Sequence, residues 1–280
     1  MLDYRNAKEV WIDTARTLKF PPRGVSLPSW GKFNRYLGGL REHEVTLLCA
    51  PTGAGKTQLL ANISVQLLAQ RCPHFAAPVE TGDVDFLARV ASVVSGQDMN
   101  SGDPVAEAKV NALTKTLSEE GFLDPLYLAT YDNRVEIHEM INLLKYMHQE
   151  YRIKAALLDN LNFFLKVVSA QQERAEMDNA IHEFVMLVKK LPVHVILIVH
   201  PKKTDGGRVE SEFDIKGSAT AVQEAANVLL FNRPKLEDVN AGRAYPTDRE
   251  MVFRKIRKRG VHVGKPITFR FDGGRYEELL

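Results

Sequence analysis

Only two cysteines occur in the 280 residues, Cys49 and Cys72. They exclude a disulfide framework and a cysteine-based metal cluster, and Cys49, inside an apolar run, fits a small buried hydrophobe. A reducing compartment suits such a chain. Long hydrophobic runs are missing too: no apolar stretch approaches the roughly 18 residues needed to cross a bilayer. The opening segment from Met1 to Glu9 has mixed charges where a secretory signal would have an apolar core. The expectation is a soluble, cytoplasmic protein with no membrane contact and no secretion signal. An excess of one charge is also absent, with 37 Lys and Arg against 35 Asp and Glu. Any nucleic-acid partner must then be met by local clusters of Lys and Arg.

The chain does contain an alternation of short apolar runs with longer amphipathic segments, the pattern of an α/β fold around a mostly parallel sheet flanked by helices. Strands are expected at Val45 to Cys49, His74 to Val79, Leu126 to Ala129, Ala155 to Leu158, His194 to Val199 and Val228 to Phe231. The helices expected between them run from Lys56 to Ala69, Val84 to Val94, Val105 to Ser118, Val135 to Glu150, Glu173 to Lys190 and Ala219 to Ala226. Glu250 to Ile256 and Pro266 to Phe271 fit a C-terminal antiparallel β extension that turns at Asp272, Gly273 and Gly274. Residues 1–22 are expected to be an N-terminal helical arm or linker, with a helix over Asp3 to Leu18, and residues 23–280 a single domain. No repeat or composition break marks a second domain.

The eight residues Ala50, Pro51, Thr52, Gly53, Ala54, Gly55, Lys56 and Thr57 follow an apolar strand and open a helix at Gln58. This is the P-loop context. Glycines let backbone N–H groups face phosphate oxygens, and the helix N-terminus adds a positive dipole end. Lys56 would reach the β- and γ-phosphates and the Thr57 hydroxyl would ligate Mg²⁺, so the expected cofactors are ATP and Mg²⁺, with residues 50–58 as the binding loop. Ala50 stands where the strict pattern has Gly. A second metal residue is expected at Asp159, where the apolar run from Ala155 ends at a strand's C-terminal edge. Strands ending in Asp are also common without a metal.

Further motifs fall in an order that resembles the RecA-like ATPase domain of DnaB-family replicative helicases, including the Twinkle and phage primase-helicase branch, from about Arg23 to the C-terminus. Gly38, Gly39 and Leu40 are similar to that family's lead-in to its P-loop. Val79 to Gly82 followed by Phe86 to Arg89 resembles the segment with the catalytic glutamate and a downstream Arg. The resemblance makes Glu80 the residue that polarises the attacking water, although an acid in a helix's first turn is also favoured by the dipole alone. His200, after the strand from Val193, matches the position that senses the γ-phosphate, usually Gln in DnaB proteins and His on the Twinkle side. A His at a strand end is otherwise an ordinary loop residue.

Phe213 to Leu229 resembles the segment that lines the central channel and grips the DNA backbone, with Ala226 where the second acid of the family usually stands. Carried over, Lys216, with backbone near Gly217 and Ala219, contacts phosphate, and Lys202, Lys203 and Arg208 in the preceding loop add charge or are simply solvated cations. Arg254 to Gly260 resembles the family's Lys-x-Arg, which makes Lys255 and Arg257 finger residues for a neighbouring subunit's site, with Arg259 in reserve. A basic targeting or nonspecific nucleic-acid patch is the plain alternative. Strand alternation places Lys255 and Arg257 on one face, together with Phe253. The resemblance implies a homohexameric ring that couples hydrolysis to movement on single-stranded DNA at a replication fork, with a separate primase or loader. The rival is a RecA-, RadA- or KaiC-like ATPase that assembles without unwinding.

Overall fold

A computed structural model of the chain describes residues 5–20, 24–99, 104–131, 135–165, 170–202, 207–216, 219–258 and 262–279. Helix α1 (Ala7–Lys19) is followed by α2 (Gly31–Leu37), β1 (Glu44–Cys49), α3 (Lys56–Leu68), β2 (His74–Pro78), α4 (Asp83–Ser95) and α5 (Glu107–Thr114). Next come β3 (Leu126–Leu128), α6 (Ile137–Tyr151), β4 (Ala155–Asp159), α7 (Ala170–Lys190), β5 (His194–Val199), α8 (Ala219–Glu224) and β6 (Asn227–Asn232). The chain closes with α9 (Leu236–Asn240), β7 (Arg249–Ile256), β8 (Pro266–Asp272) and β9 (Arg275–Glu278). These nine strands form one sheet in the order β3-β2-β4-β5-β1-β6-β7-β8-β9. The first six in that order are parallel and the last three antiparallel.

Helices on both faces explain why β1, β2, β4, β5 and β6 are buried along their whole length. Val45, Leu47 and Cys49 of β1 pack on one side with residues of α6 and α7, such as Leu144 and Phe184. Leu48 and Ala50 face the other side, toward α2, α3 and α4. Cys49 is a free, fully buried thiol whose pKa burial pushes up to about 12, so it serves as a small core residue. Among the described residues, no helix is long and apolar enough to cross a membrane.

Helix α1 starts at Asn6, whose side chain accepts the Lys8 N–H at 2.8 Å, and buries none of its residues. α2 ends at Gly38 in the left-handed conformation, which would cost any residue with a Cβ a steric penalty that glycine escapes. Just before it, the Trp30 indole N–H donates to the Tyr276 carbonyl at 2.8 Å, and the Glu278 carboxylate accepts the Lys32 and Phe33 amides at 2.6 and 3.0 Å. β9 is thereby fixed against the start of the domain.

Two expectations are corrected and two elements are added. The helix expected over Val105 to Ser118 begins at Glu107, and beyond Thr114 it widens into a π turn over Lys115–Glu119. α9 and β9 carry too short a pattern to be anticipated. Most consequential is β7: the pairing shifts between Val228 and Leu229, which oppose Lys255 and Phe253, so Arg254 is an extra residue. Met251, Phe253 and Ile256 consequently share the core side, and Lys255 does not lie on the face of Phe253.

Candidate functional site

The parallel strands deliver their C-terminal ends to one edge, where loop backbone is free to bind a ligand. Pro78 is level with Asp159, and Cys49 with Val199. Four strand ends thus bring the loop from Ala50 to Thr57, Glu80, Asp159 and His200 together, although they are far apart in sequence.

The loop takes its shape from Gly53 and Gly55, whose φ values of 73° and 91° only glycine adopts without strain. A Cβ on Gly55 would also collide with the Tyr276 hydroxyl. The outer side of the loop is held by arginines: Arg233 donates to the Gly53 carbonyl at 2.9 Å, and Arg249 to the Ala54 carbonyl at 2.6 Å. With carbonyls turned outward to these guanidinium groups, the Lys56 ammonium lies 3.5 Å from the Pro51 carbonyl, folded over the loop. Gln58 is buried, donating to the Gly274 carbonyl at 2.6 Å and accepting from Arg89 at 3.3 Å.

The Thr57 hydroxyl donates to Asp159 Oδ2 at 2.5 Å. Asp159 is fully buried, and its other oxygen has no hydrogen-bond partner. Burial raises its pKa; the Thr57 hydrogen bond opposes the rise, the Glu80 charge adds to it, and Lys56 and Arg89 oppose it. An unpaired carboxylate oxygen beside a hydroxyl fits a hard divalent cation that keeps water and phosphate as its other ligands, as Mg²⁺ does. No cluster of three His, Cys, Asp or Glu that could cage a different metal occurs among the described residues.

Glu80 is exposed, following β2. Its carboxylate accepts from the side-chain nitrogen of Asn160 at 2.6 Å, and the same nitrogen lies 3.0 Å from Nε2 of His200. Burial lowers the His200 pKa; Lys56 and Lys216 lower it further, and Glu80 and Glu173 act against them. The ring is therefore neutral at neutral pH.

The other expected residues lie elsewhere. Lys255 donates to the Val222 carbonyl at 3.1 Å and also to that of Gln223. Arg257 donates to the Gln223 and Glu224 carbonyls at 3.0 and 2.9 Å, so both cap the C-terminus of α8. Burial, with Arg257 alongside, lowers the Lys255 pKa to about 8. β7 runs antiparallel to β6, which puts Arg249 at the phosphate-loop end and Lys255 at the opposite end. With Arg254 bulged out, five ladder steps at about 3.3 Å each separate them by roughly 17 Å.

Lys216 pairs with Glu173 at 3.1 Å, and its amide donates to the His200 carbonyl, also at 3.1 Å. Lys202 is exposed, with its ammonium on the Phe213 carbonyl at 2.7 Å. The Arg208 guanidinium is used within the fold, on Glu210 and Glu250 at 3.1 Å each and on the Arg233 carbonyl. Ala219 opens α8, while Lys203, Gly217 and Arg259 lie outside the described residues.

Sequence reasoning missed Asn160, Arg233, Arg249 and Tyr276. Asn160 had a signal, a polar residue directly beyond the Asp of a buried strand. The two arginines had none, lying 180 and 195 residues from the carbonyls they hold.

Among solved structures, the chain is similar to an ATPase domain, with a TM-score of 0.74, 12% identity, and coverage of 99% of this chain and 100% of that one. It is also similar to a DnaB-like replicative helicase studied with its interactions with primase, with a TM-score of 0.77 and 11% identity, covering 99% of this chain and 68% of that one. At identities this low, the TM-scores show a shared fold alone. The family described as DnaB-like helicase C terminal domain matches residues 28–277, nearly the whole chain. An NTP-hydrolysing role for the P-loop site follows from that membership, and the chain belongs to the DnaB-like helicase C-terminal domain family.

Proposed function

We propose that the domain is an ATP-driven, ring-forming DNA helicase motor of the Twinkle and phage type, each ATP site being completed by a neighbouring subunit. The reading rests chiefly on the separation of the finger residues from the phosphate loop of their own chain. Phosphate and metal groups gather at one end of the sheet, while Lys255 and Arg257 sit at the other. A cation roughly 17 Å along the strand cannot neutralise charge on a phosphoryl group transferred in its own chain, which favours service to a second copy. Such a head-to-tail contact is heterologous and closes into a ring when its rotation allows, here a homohexamer.

Within one site, backbone N–H groups from Gly53 to Thr57 and the Lys56 ammonium hold the β- and γ-phosphates. Thr57 and Asp159 would hold Mg²⁺, which spreads the negative charge of those phosphates when bound. Glu80 takes a proton from the attacking water. The water oxygen bonds to the γ-phosphorus while the bond from that phosphorus to the bridging oxygen breaks, and the electron pair leaves with ADP. Lys255 and Arg257 of the next subunit stabilise the charge on the moving group, and His200 registers whether the γ-phosphate is present. Lys216, together with Lys202, contacts the backbone of a single strand without reading bases, as a motor indifferent to sequence requires. Arg208, bound internally, is left out of that contact.

The test mixes two inactive variants. Arg257→Ala should bind nucleotide without turning it over, and Lys56→Ala should lack the phosphate grip. Combined, they should recover hydrolysis, since some interfaces then join an intact loop to an intact finger. Activity no greater than the sum of the separate variants would refute sharing between subunits. A forked duplex supplies the second arm: DNA-stimulated hydrolysis without strand separation would favour a motor that assembles but does not unwind.

A further inference from the structure

Asn160 is 6% exposed, and its single side-chain nitrogen serves two groups, Glu80 at 2.6 Å and His200 at 3.0 Å. An ionised carboxylate only accepts hydrogen bonds, so the nitrogen of the amide, not its oxygen, must face Glu80. An amide nitrogen only donates. Nε2 of His200 therefore accepts, and the ring proton is on Nδ1.

This arrangement is incompatible with the chemistry assigned above. Phosphate oxygens are acceptors, and Nε2 without a proton offers them nothing. A carboxylate oxygen engaged at 2.6 Å by an amide is also less free to accept a hydrogen bond from water. Both restraints end only when the same nitrogen lets go. His200 is in turn fixed to the segment bearing Lys216: its carbonyl accepts the Lys216 amide, and Pro201 bridges Ile215. From the other side, Glu173 holds both Lys216 at 3.1 Å and Asn162 at 3.3 Å, two residues beyond Asn160. A strand that pulls Lys216 away from Glu173 would disturb His200 and the Asn160 segment together.

We propose that Asn160 is a positioning residue whose one amide nitrogen restrains Glu80 and keeps Nε2 of His200 an acceptor until DNA displaces the Lys216 segment. The inference rests on the proposed roles of Glu80, His200 and Lys216. Asn160 does not touch the reacting atoms; it acts through the two groups that do.

The experiment measures steady-state ATP hydrolysis by the full chain with and without an oligothymidylate strand, alongside ¹⁵N spectra of the His200 ring in nucleotide-free protein. Asn160→Ala should raise the DNA-independent kcat about tenfold, equivalent to one charge-assisted hydrogen bond. KM for ATP and the DNA-stimulated kcat should stay within about twofold, so the stimulation ratio falls about tenfold. In the spectra, wild type should have its ring proton on Nδ1. Asn160→Asp, which offers an acceptor in place of the donor, should move that proton to Nε2. An equal fall of kcat with and without DNA would mark Asn160 as merely structural and overturn the proposal, as would a wild-type ring protonated at Nε2. Wild-type hydrolysis insensitive to DNA would instead refute the DNA-binding reading, and the spectra would still decide whether Asn160 holds the ring. Should Asn160→Ala not fold, the wild-type and Asn160→Asp spectra carry the test.

Discussion

Replacing Asp159 by Asn should stabilise the nucleotide-free protein while abolishing Mg²⁺-dependent hydrolysis. The side chain is fully buried, and Thr57 satisfies only one of its two oxygens. A buried charged atom without a partner costs about 1–3 kcal/mol. Asn keeps the shape and can still accept the Thr57 hydroxyl through its oxygen. Its amide then occupies the unpaired position as a neutral group, which recovers part of that cost, about 1–2 kcal/mol. For a domain of this size each kcal/mol raises Tm by about 2–4 °C, so Tm should rise by about 2–8 °C without ligand. Urea unfolding and calorimetry, first without nucleotide and then with a nonhydrolysable ATP analogue with and without Mg²⁺, provide the assay. Wild type should gain about 2.7 kcal/mol at a ligand concentration a hundredfold above Kd, with a clear Mg²⁺ dependence, and the variant should lose that dependence. A variant less stable than wild type by more than about 1 kcal/mol would refute the reasoning. So would one stabilised by Mg²⁺ and nucleotide to the same extent as wild type.

Gly55→Ala should abolish nucleotide binding in a fluorescent-nucleotide titration, because φ is 91° there and the added Cβ meets the Tyr276 hydroxyl; unchanged affinity would disprove that packing. Lys216→Ala should weaken single-strand binding and lower the slope of log K against log salt by about 0.7, the single-strand value for one phosphate contact, and an unchanged slope would remove Lys216 from the interface. The buried His74 and His194 each pair one ring nitrogen with a backbone carbonyl and the other with a hydroxyl, of Ser64 and Thr46 respectively. Burial lowers both pKa values from 6.5 to about 4. Between those values the unfolded chain binds more protons, so this stability is complete above pH 6.5 and is lost as pH falls toward 4. From pH 7 to pH 5 the loss is about 2 kcal/mol per histidine. Urea unfolding of His194→Gln at the two pH values should show about 2 kcal/mol less acid sensitivity than wild type, and equal sensitivity would contradict the assignment.

The parallel half of the fold was legible because its signals are local. A strand buried on both faces must be a continuous apolar run, as from His194 to Val199, and a helix that begins with Gly55 and Lys56 carries its own start signal. The edge position of Asp159 followed from the same logic. What escaped depended on long-range packing. The extra residue at Arg254 is invisible in β7 alone, since it exists only relative to the pairing with Val228 and Leu229. Arg208, a loop cation by sequence, turns inward because Glu250 of β7 lies beside it. Asn160 could not be singled out from its own stretch of sequence, since Glu80 and His200, following two other strands, meet its one nitrogen only in the fold.

The closure of β9 onto the start of the domain bears on how the protein is made. Trp30 and Tyr276 are 246 positions apart, yet Tyr276 packs at Gly55 and its carbonyl holds the Trp30 indole. A ribosome adds about 5–20 residues per second, so the phosphate loop exists for roughly ten seconds or more before its last wall emerges. During that interval α3 and the early strands can assemble, but the loop lacks both Arg249 and Tyr276 to fix its outer side. Nucleotide affinity should therefore arise abruptly once β9 has emerged and docked, and a growing chain has no competent ATP site before that point.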